Sequence, residues 1–243
     1  MCTVSFIPVN GTAFFTSNRD EKDTRSRAIP PVTYPASTGT LLFPRDTQAG
    51  GTWTALHENG NLVIFLNGAF RKHTPAPPYR MSRGLLLLSL AEAVMPAEEF
   101  RFIDLSGIEP FTAVIWQQGV LFECRWDGAE KHVQTPDPSV PRIWSSVTLY
   151  DDPVIRRREK WFSEWLQGCA APAVGDILHF HQHAGDGDRH DDVLMERKGE
   201  VSTVSITCTE IGKERGIMRY LDMKDGSLHA AELLMREFNN AGR

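Results

Sequence analysis

Cysteine is scarce in this chain. Four residues in 243 (Cys2, Cys124, Cys169, Cys208) are widely spaced, with no Cys-x-x-Cys pair for zinc or redox chemistry. Basic excess is also missing: 26 Lys and Arg stand against 31 Asp and Glu, a formal charge of −5. That excludes a protein that works by neutralising phosphates, so no nucleic-acid partner is expected. The one dense basic stretch, Arg156, Arg157, Arg158 and Lys160, is interleaved with acids and reads as a solvated helix face. No apolar run approaches the roughly 20 residues of a membrane span. The longest, around 84–90, is far shorter, so no membrane span is expected. The opening Met-Cys-Thr-Val-Ser-Phe lacks a charged segment followed by a long apolar one, which points to a cytoplasmic protein with reduced thiols. No repeat, low-complexity tract or linker divides the chain, and the expectation is one domain over 1–243.

What is present reads as strands, helices, strands, a helical pair, and strands again. Thr3, Val4, Ser5, Phe6 and Ile7 carry β-branched and aromatic residues, and Asn10-Gly11 is a favoured two-residue hairpin turn before a return strand from Thr12. The proline-rich stretch 23–35 reads as a surface loop, and strands follow through Leu56 and over 62–66. Ser82 is placed to cap a helix running to about Val94, stopped by Pro96. That helix is apolar over most of its circumference and should be buried against a sheet. Strands resume at 111–116 and 120–126 around a Gln-Gln-Gly turn. Asp151 or Asp152 caps a second helix with Pro153 at its first position, a third covers 174–181, and 201–207 is the clearest late strand. Such segregation predicts an α+β layered domain.

The chemistry starts at Cys2. A small second residue favours removal of Met1, which would leave a thiol and an α-amine on one residue. An α-amine titrates near pH 8 and can accept the thiol proton. The return strand of the hairpin ends Ser17-Asn18-Arg19-Asp20-Glu21, so pairing should bring a cation and a carboxylate beside Cys2. Arg19 is expected to lower the thiol pKa and Asp20 to hold the amine. Cys124 and Cys208, in predicted strands, are expected to be buried and unreactive.

These residues, with Met-Cys-Thr at the start, Gly50-Gly51-Thr52-Trp53 and Leu66-Asn67, resemble the NRDE family, also called the transport and Golgi organisation protein 2 family. The likeness is dense over roughly the first 95 residues and collinear beyond them. That family is related to the N-terminal nucleophile hydrolases, which implies a four-layer αββα sandwich. The cysteine branch of those hydrolases implies Cys2 as nucleophile, with Asn18, Arg19 and Asp20 in the motif around it. It also implies Asn67 as an oxyanion donor and a late arginine, for which Arg197 is the candidate. A second asparagine of that branch has no counterpart in Trp144-Ser145-Ser146-Val147. The implied substrate is a small molecule with a non-peptide amide or thioester bond, and no cofactor is implied. The alternative is a carrier that uses the same pocket for haem or an acyl-lipid.

His179, His181 and His183, followed by Asp186, Asp188, His190, Asp191 and Asp192, contain the ligand types a metal site uses. The glycines among them make a flexible surface loop the expectation, with no metal bound.

Overall fold

Asn10 and Gly11 both adopt positive φ, 49° and 79°, so the opening hairpin closes through the two-residue turn that the strand twist favours. It joins β1 (Thr3–Val9) to β2 (Thr12–Lys22) in a register that sets Thr3 opposite Asn18 and Phe6 opposite Phe15. The computed structural model describes residues 2–22 and 24–236. After the hairpin come β3 (Ile29–Ala36), β4 (Gly39–Arg45), β5 (Thr54–His57) and β6 (Leu62–Asn67). Two helices follow, α1 (Arg83–Glu92) and α2 (Pro96–Phe102), then β7 (Phe111–Gln117), β8 (Val120–Trp126), β9 (Lys131–Gln134) and β10 (Arg142–Ser145). The rest is α3 (Asp152–Gly168), α4 (Val174–His183), β11 (Glu196–Arg197), β12 (Val201–Ile211), β13 (Arg215–Asp222) and β14 (Leu228–Leu234).

The strands form two antiparallel sheets among the described residues. One has the order β10-β1-β2-β12-β13-β14 with β11 also on β12, and the other runs β3 to β9 in sequence order. Period-two alternation sorts their side chains. Val4, Phe6 and Phe15 of the first sheet share one apolar cluster with Leu42, Leu56, Ile64 and Val114 of the second. The opposite faces carry helices. Val63, Phe65 and Ile115 pack with Leu86, Leu87, Leu90 and Phe100, while Ile7, Phe14 and Cys208 pack with Phe162, Ile177 and Phe180. The α+β class is as expected.

Local signals mark both capped helices. The Ser82 side chain accepts from the Leu85 N–H at the start of α1, and Asp151 accepts from Val154 N–H at the start of α3. One expectation fails. Of the stretch read as a loop, 29–35 lies in the strand β3, and Asp23 lies outside the described residues. Its prolines are tolerated because β3 is the edge of its sheet. Pro96 does not only stop α1; it opens α2 at the first helical position, where its missing N–H costs nothing.

One close approach fixes the cavity described below. A Cβ on Gly51 would lie 2.4 Å from the Gly84 carbonyl carbon, and Thr52 N–H donates to Gly84 O at 3.2 Å. The first turn of α1 thus sits directly on the backbone before β5. Gly51→Ala should destabilise the fold by about 3 kcal/mol, because backbone cannot yield as a side chain does. Gly175→Ala, in α4 with nothing within 4 Å of the added atom, should be neutral or slightly stabilising. Denaturant midpoints for the two variants check this, and equal midpoints would contradict it.

Candidate functional site

Cys2 precedes β1 and is fully buried. Its backbone N–H donates to Asn18 O at 3.3 Å, its carbonyl accepts from Ser146 N–H at 2.7 Å, and its thiol donates to Asp20 O at 3.6 Å. Its side chain packs with Tyr150, Val154 and Met195. Hairpin pairing therefore does bring the Asn18–Asp20 segment to Cys2, but through main-chain atoms. Met1 lies outside the described residues.

Successive side chains of a strand point to opposite faces, and the motif residues divide accordingly. Arg19 turns toward the second sheet. Its guanidinium lies 2.6 Å from Asp46 Oδ2 and 3.4 Å from Glu21, and stacks 4.5 Å over the Trp53 ring. Asn18 and Asp20 turn the other way. Asn18 Nδ2 donates to His181 O at 3.1 Å and to Val193 O at 2.8 Å, so its Oδ1 is the acceptor facing His181 Nδ1 at 2.6 Å. His181 Nδ1 therefore carries the proton, and Nε2 accepts from Ser5 Oγ at 2.7 Å. The Asp20 carboxyl accepts from Tyr150 OH and Thr203 Oγ1, both at 2.6 Å.

Arg19 and Asn67 line a cavity of about 440 Å³ with Trp53, Phe65, Tyr79, Met81 and Arg83. Asn67 ends β6, and its carbonyl accepts from Ser146 Oγ at 2.8 Å. That bond ties the cavity wall to the residue that pairs with Cys2. Arg83, unforeseen from sequence, reaches the same wall: it bonds Glu109 at 3.0 Å and Pro110 O at 3.1 Å, and lies within electrostatic range of Cys2. The carboxyl of Asp46 is raised by its burial, but the Ala49 N–H, Arg25 and Arg19 overcome this and hold it below its ordinary value.

Arg197 does not line that cavity. It bonds Leu149 O at 3.1 Å and Asp191 at 3.3 Å, lies 5.6 Å from the Tyr150 ring, and lines a second cavity of about 640 Å³. The cation nearest the start of β1 is Arg158. It is fully buried, donates to Thr3 Oγ1 at 2.6 Å and to Asp191 O at 3.1 Å, and lies 3.6 Å from the Tyr150 ring centroid. The basic run of α3 is thus not wholly a solvated face. The loop over 184–192 is likewise pinned, by Arg158 from within and by Arg157 at 2.8 Å from Asp191. Among its neighbours, His179 and His183 stack on an exposed helix face while His181 points into the core. No group of three potential metal ligands occurs among the described residues.

The electrostatics overturn one expectation. Burial, and then the charge of Asp20, push the Cys2 thiol up from its ordinary value to about 12. Arg19 does not offset this because its charge is spent on Asp46 and Glu21. Burial also pushes Cys124 to about 12 and Cys208 to about 11, while Cys169 is half-buried at the end of α3.

Residues 1–117 match the sequence model of the family described as Transport and Golgi organisation 2, as the motifs implied. No curated protein matches the chain. Solved structures do. A mutant conjugated bile acid hydrolase from Clostridium perfringens superposes with a TM-score of 0.60 at 12% identity, covering 95% of this chain and 92% of that one. A variant of the same hydrolase gives 0.59 at 10% identity, covering 99% and 100%. A Caenorhabditis elegans N-acylethanolamine-hydrolyzing acid amidase ortholog gives 0.59 at 11%, covering 85% and 92%. The chain thus shares its fold with these three structures.

Proposed function

We propose that this chain, whose residues 1–117 carry the Transport and Golgi organisation 2 pattern, is an N-terminal cysteine hydrolase-like protein acting on a non-peptide amide or thioester bond. We read it as one domain over 1–243 with four αββα layers, supported by the apolar cluster the sheets share and the helix-facing clusters on their other faces. The observation that carries the catalytic reading is the position of Cys2. Its nitrogen is held 3.3 Å from Asn18 O, its sulfur is held by Asp20 O, and Arg83 lies within electrostatic range of it. Removal of Met1 turns that nitrogen into an amine.

A thiol pushed to about 12 has almost no thiolate at neutral pH, so its proton must leave during attack. The α-amine accepts it as sulfur bonds to the substrate carbonyl carbon. The oxygen that gains negative charge takes a hydrogen bond from the Asn67 amide, on the cavity wall it shares with Arg19. The ammonium then gives its proton to the departing nitrogen, or to the departing sulfur of a thioester. Water attacks the resulting acyl-cysteine with the amine again as base, releasing a carboxylic acid and restoring the thiol. In this reading Arg19 and Asp20 organise the two sides of the strand that holds Cys2, and Arg197 stays outside the reacting centre.

The carrier reading for haem or an acyl-lipid calls for an apolar cleft. The wall beside Arg19 also carries Glu21, Arg25, Asp46, Arg83 and Glu109, which favours a compact polar substrate. Purified protein should lack Met1 by intact mass. Cys2→Ser should reduce turnover of a panel of N-acyl amides and acyl thioesters by about 1,000-fold or more. Turnover by protein that retains Met1, or turnover unchanged by Cys2→Ser, overturns the proposal.

A further inference from the structure

Arg158 has no carboxylate partner within ion-pair distance among the described residues, although it is fully buried. Its guanidinium is satisfied by the Thr3 hydroxyl and by the carbonyls of Asp191 and Asp192, and its face is covered by the Tyr150 ring at 3.6 Å. A buried cation needs negative potential nearby. Here it comes through the ring: the far end of Tyr150 donates to Asp20 at 2.6 Å. Thr203 holds the other carboxyl oxygen at 2.6 Å, so both oxygens of Asp20 are engaged. Asp20 is also the residue whose main-chain oxygen receives the Cys2 thiol, and Thr3 is the next residue after Cys2.

We propose that Tyr150 and Arg158 are positioning residues for Cys2: the Tyr150 hydroxyl, backed by the Arg158 cation, fixes the Asp20 carboxyl and draws its charge away from the sulfur. The inference rests on reading Cys2 as the nucleophile. The charged and titratable groups facing Cys2 and Asp20 are Glu21 on β2, Arg83 on α1, Tyr150 before α3, Arg158 on α3 and, beyond the ring, Arg197. Of these, only Tyr150 bonds the Asp20 carboxyl. Removing its hydroxyl leaves carboxyl charge nearer the sulfur and disfavours the thiolate. Removing the charge of Asp20 does the reverse.

The test is the rate at which iodoacetamide labels Cys2 at pH 8, followed by peptide mapping in the full chain. Below the thiol pKa the rate follows the thiolate fraction. A rise of one unit costs tenfold in that fraction and returns about threefold in nucleophilicity, a net slowing of about threefold. Tyr150→Phe should therefore slow Cys2 by about threefold, and Asp20→Asn should accelerate it severalfold. In the Asp20→Asn background, Tyr150→Phe should change the rate by less than roughly 1.5-fold, because the hydroxyl then has no charge to draw away. Equal slowing in both backgrounds, or none in either, overturns the proposal.

A merely loosened core would instead expose Cys124 and Cys208, whose labelling should stay unchanged. If Asp20→Asn does not fold, Thr203→Val, which removes the other hydroxyl on the carboxyl, should slow Cys2 as Tyr150→Phe does, and an unchanged rate counts against the proposal. If access limits labelling, the rise of thiolate absorbance on titration to alkaline pH, taken as the difference from Cys2→Ala, reports the same shift. None of these measurements needs substrate. Failure of turnover would sink the hydrolase reading, whereas failure of the Asp20–Tyr150 coupling would sink this one.

Discussion

Arg158→Met should destabilise the protein by about 3–5 kcal/mol and lower its melting temperature by roughly 10 °C. The side chain is fully buried and donates to Thr3 Oγ1, Asp191 O and Asp192 O. Methionine fills much of the volume but donates nothing, so two carbonyls are left without a partner at about 1–3 kcal/mol each. The loss of a buried charge works in the opposite direction, since desolvating a guanidinium is costly. That gain is recovered in full only when the charge and its partners are replaced together. Arg156→Met, two residues earlier on the exposed face of α3, should stay within about 0.5 kcal/mol. Urea titration of both variants separates the cases. Matching midpoints would show that burial of Arg158 contributes little.

That contrast also marks where the sequence stops being informative. Arg156, Arg157, Arg158 and Lys160 form one basic run, and the helical period puts Arg158 alone on the face of Val154 and Phe162, but it does not say what a buried guanidinium would bond there. The partners, Thr3 and Tyr150 and the loop at 191–192, are fixed by tertiary packing. Local features fared better. The Asn10-Gly11 turn, the Ser82 cap and the Asp151 cap are each set by residues within a few positions, and each forms as read. The strand β3 was missed because proline content signals a loop unless the strand is known to be an edge, and edge position is a property of the whole sheet.

The candidate site shows the same division. Main-chain pairing of Cys2 with the 18–20 segment follows from the hairpin register. The expectation that Arg19 and Asp20 both flank the sulfur could have been corrected from sequence, because neighbours on a strand face opposite ways. Arg83 and Tyr150 carried no local signal. Arg83 enters through the Gly51–Gly84 approach that lays α1 on β5, and Tyr150 meets Asp20 across 130 residues of chain. The reference thiol pKa likewise ignored burial, which dominates at a position with no exposure.

Acidification should weaken the fold through His181. The ring is fully buried between Ser5 and Asn18, and burial, followed by the nearby charge of Arg158, pushes its pKa down to about 3. Protonation would put a hydrogen on Nε2, where the Ser5 hydroxyl already donates, and would add a second buried cation beside Arg158. In the unfolded chain the same ring titrates near its ordinary 6.5. Below that pH the unfolded state binds a proton that the folded state refuses, so stability falls as pH falls. The contribution is whole above about 6.5 and is lost at about 1.4 kcal/mol per pH unit down to about 3. Between pH 7 and pH 4.5 it should cost about 2–3 kcal/mol. Carboxyl groups also titrate in this range, so the comparison must be with a variant. His181→Asn keeps an N–H for Asn18 Oδ1 but cannot titrate. It should be less stable at pH 7 yet lose about 2–3 kcal/mol less than the parent chain on going to pH 4.5. Parallel pH profiles for the two proteins would show that His181 is not the group that titrates.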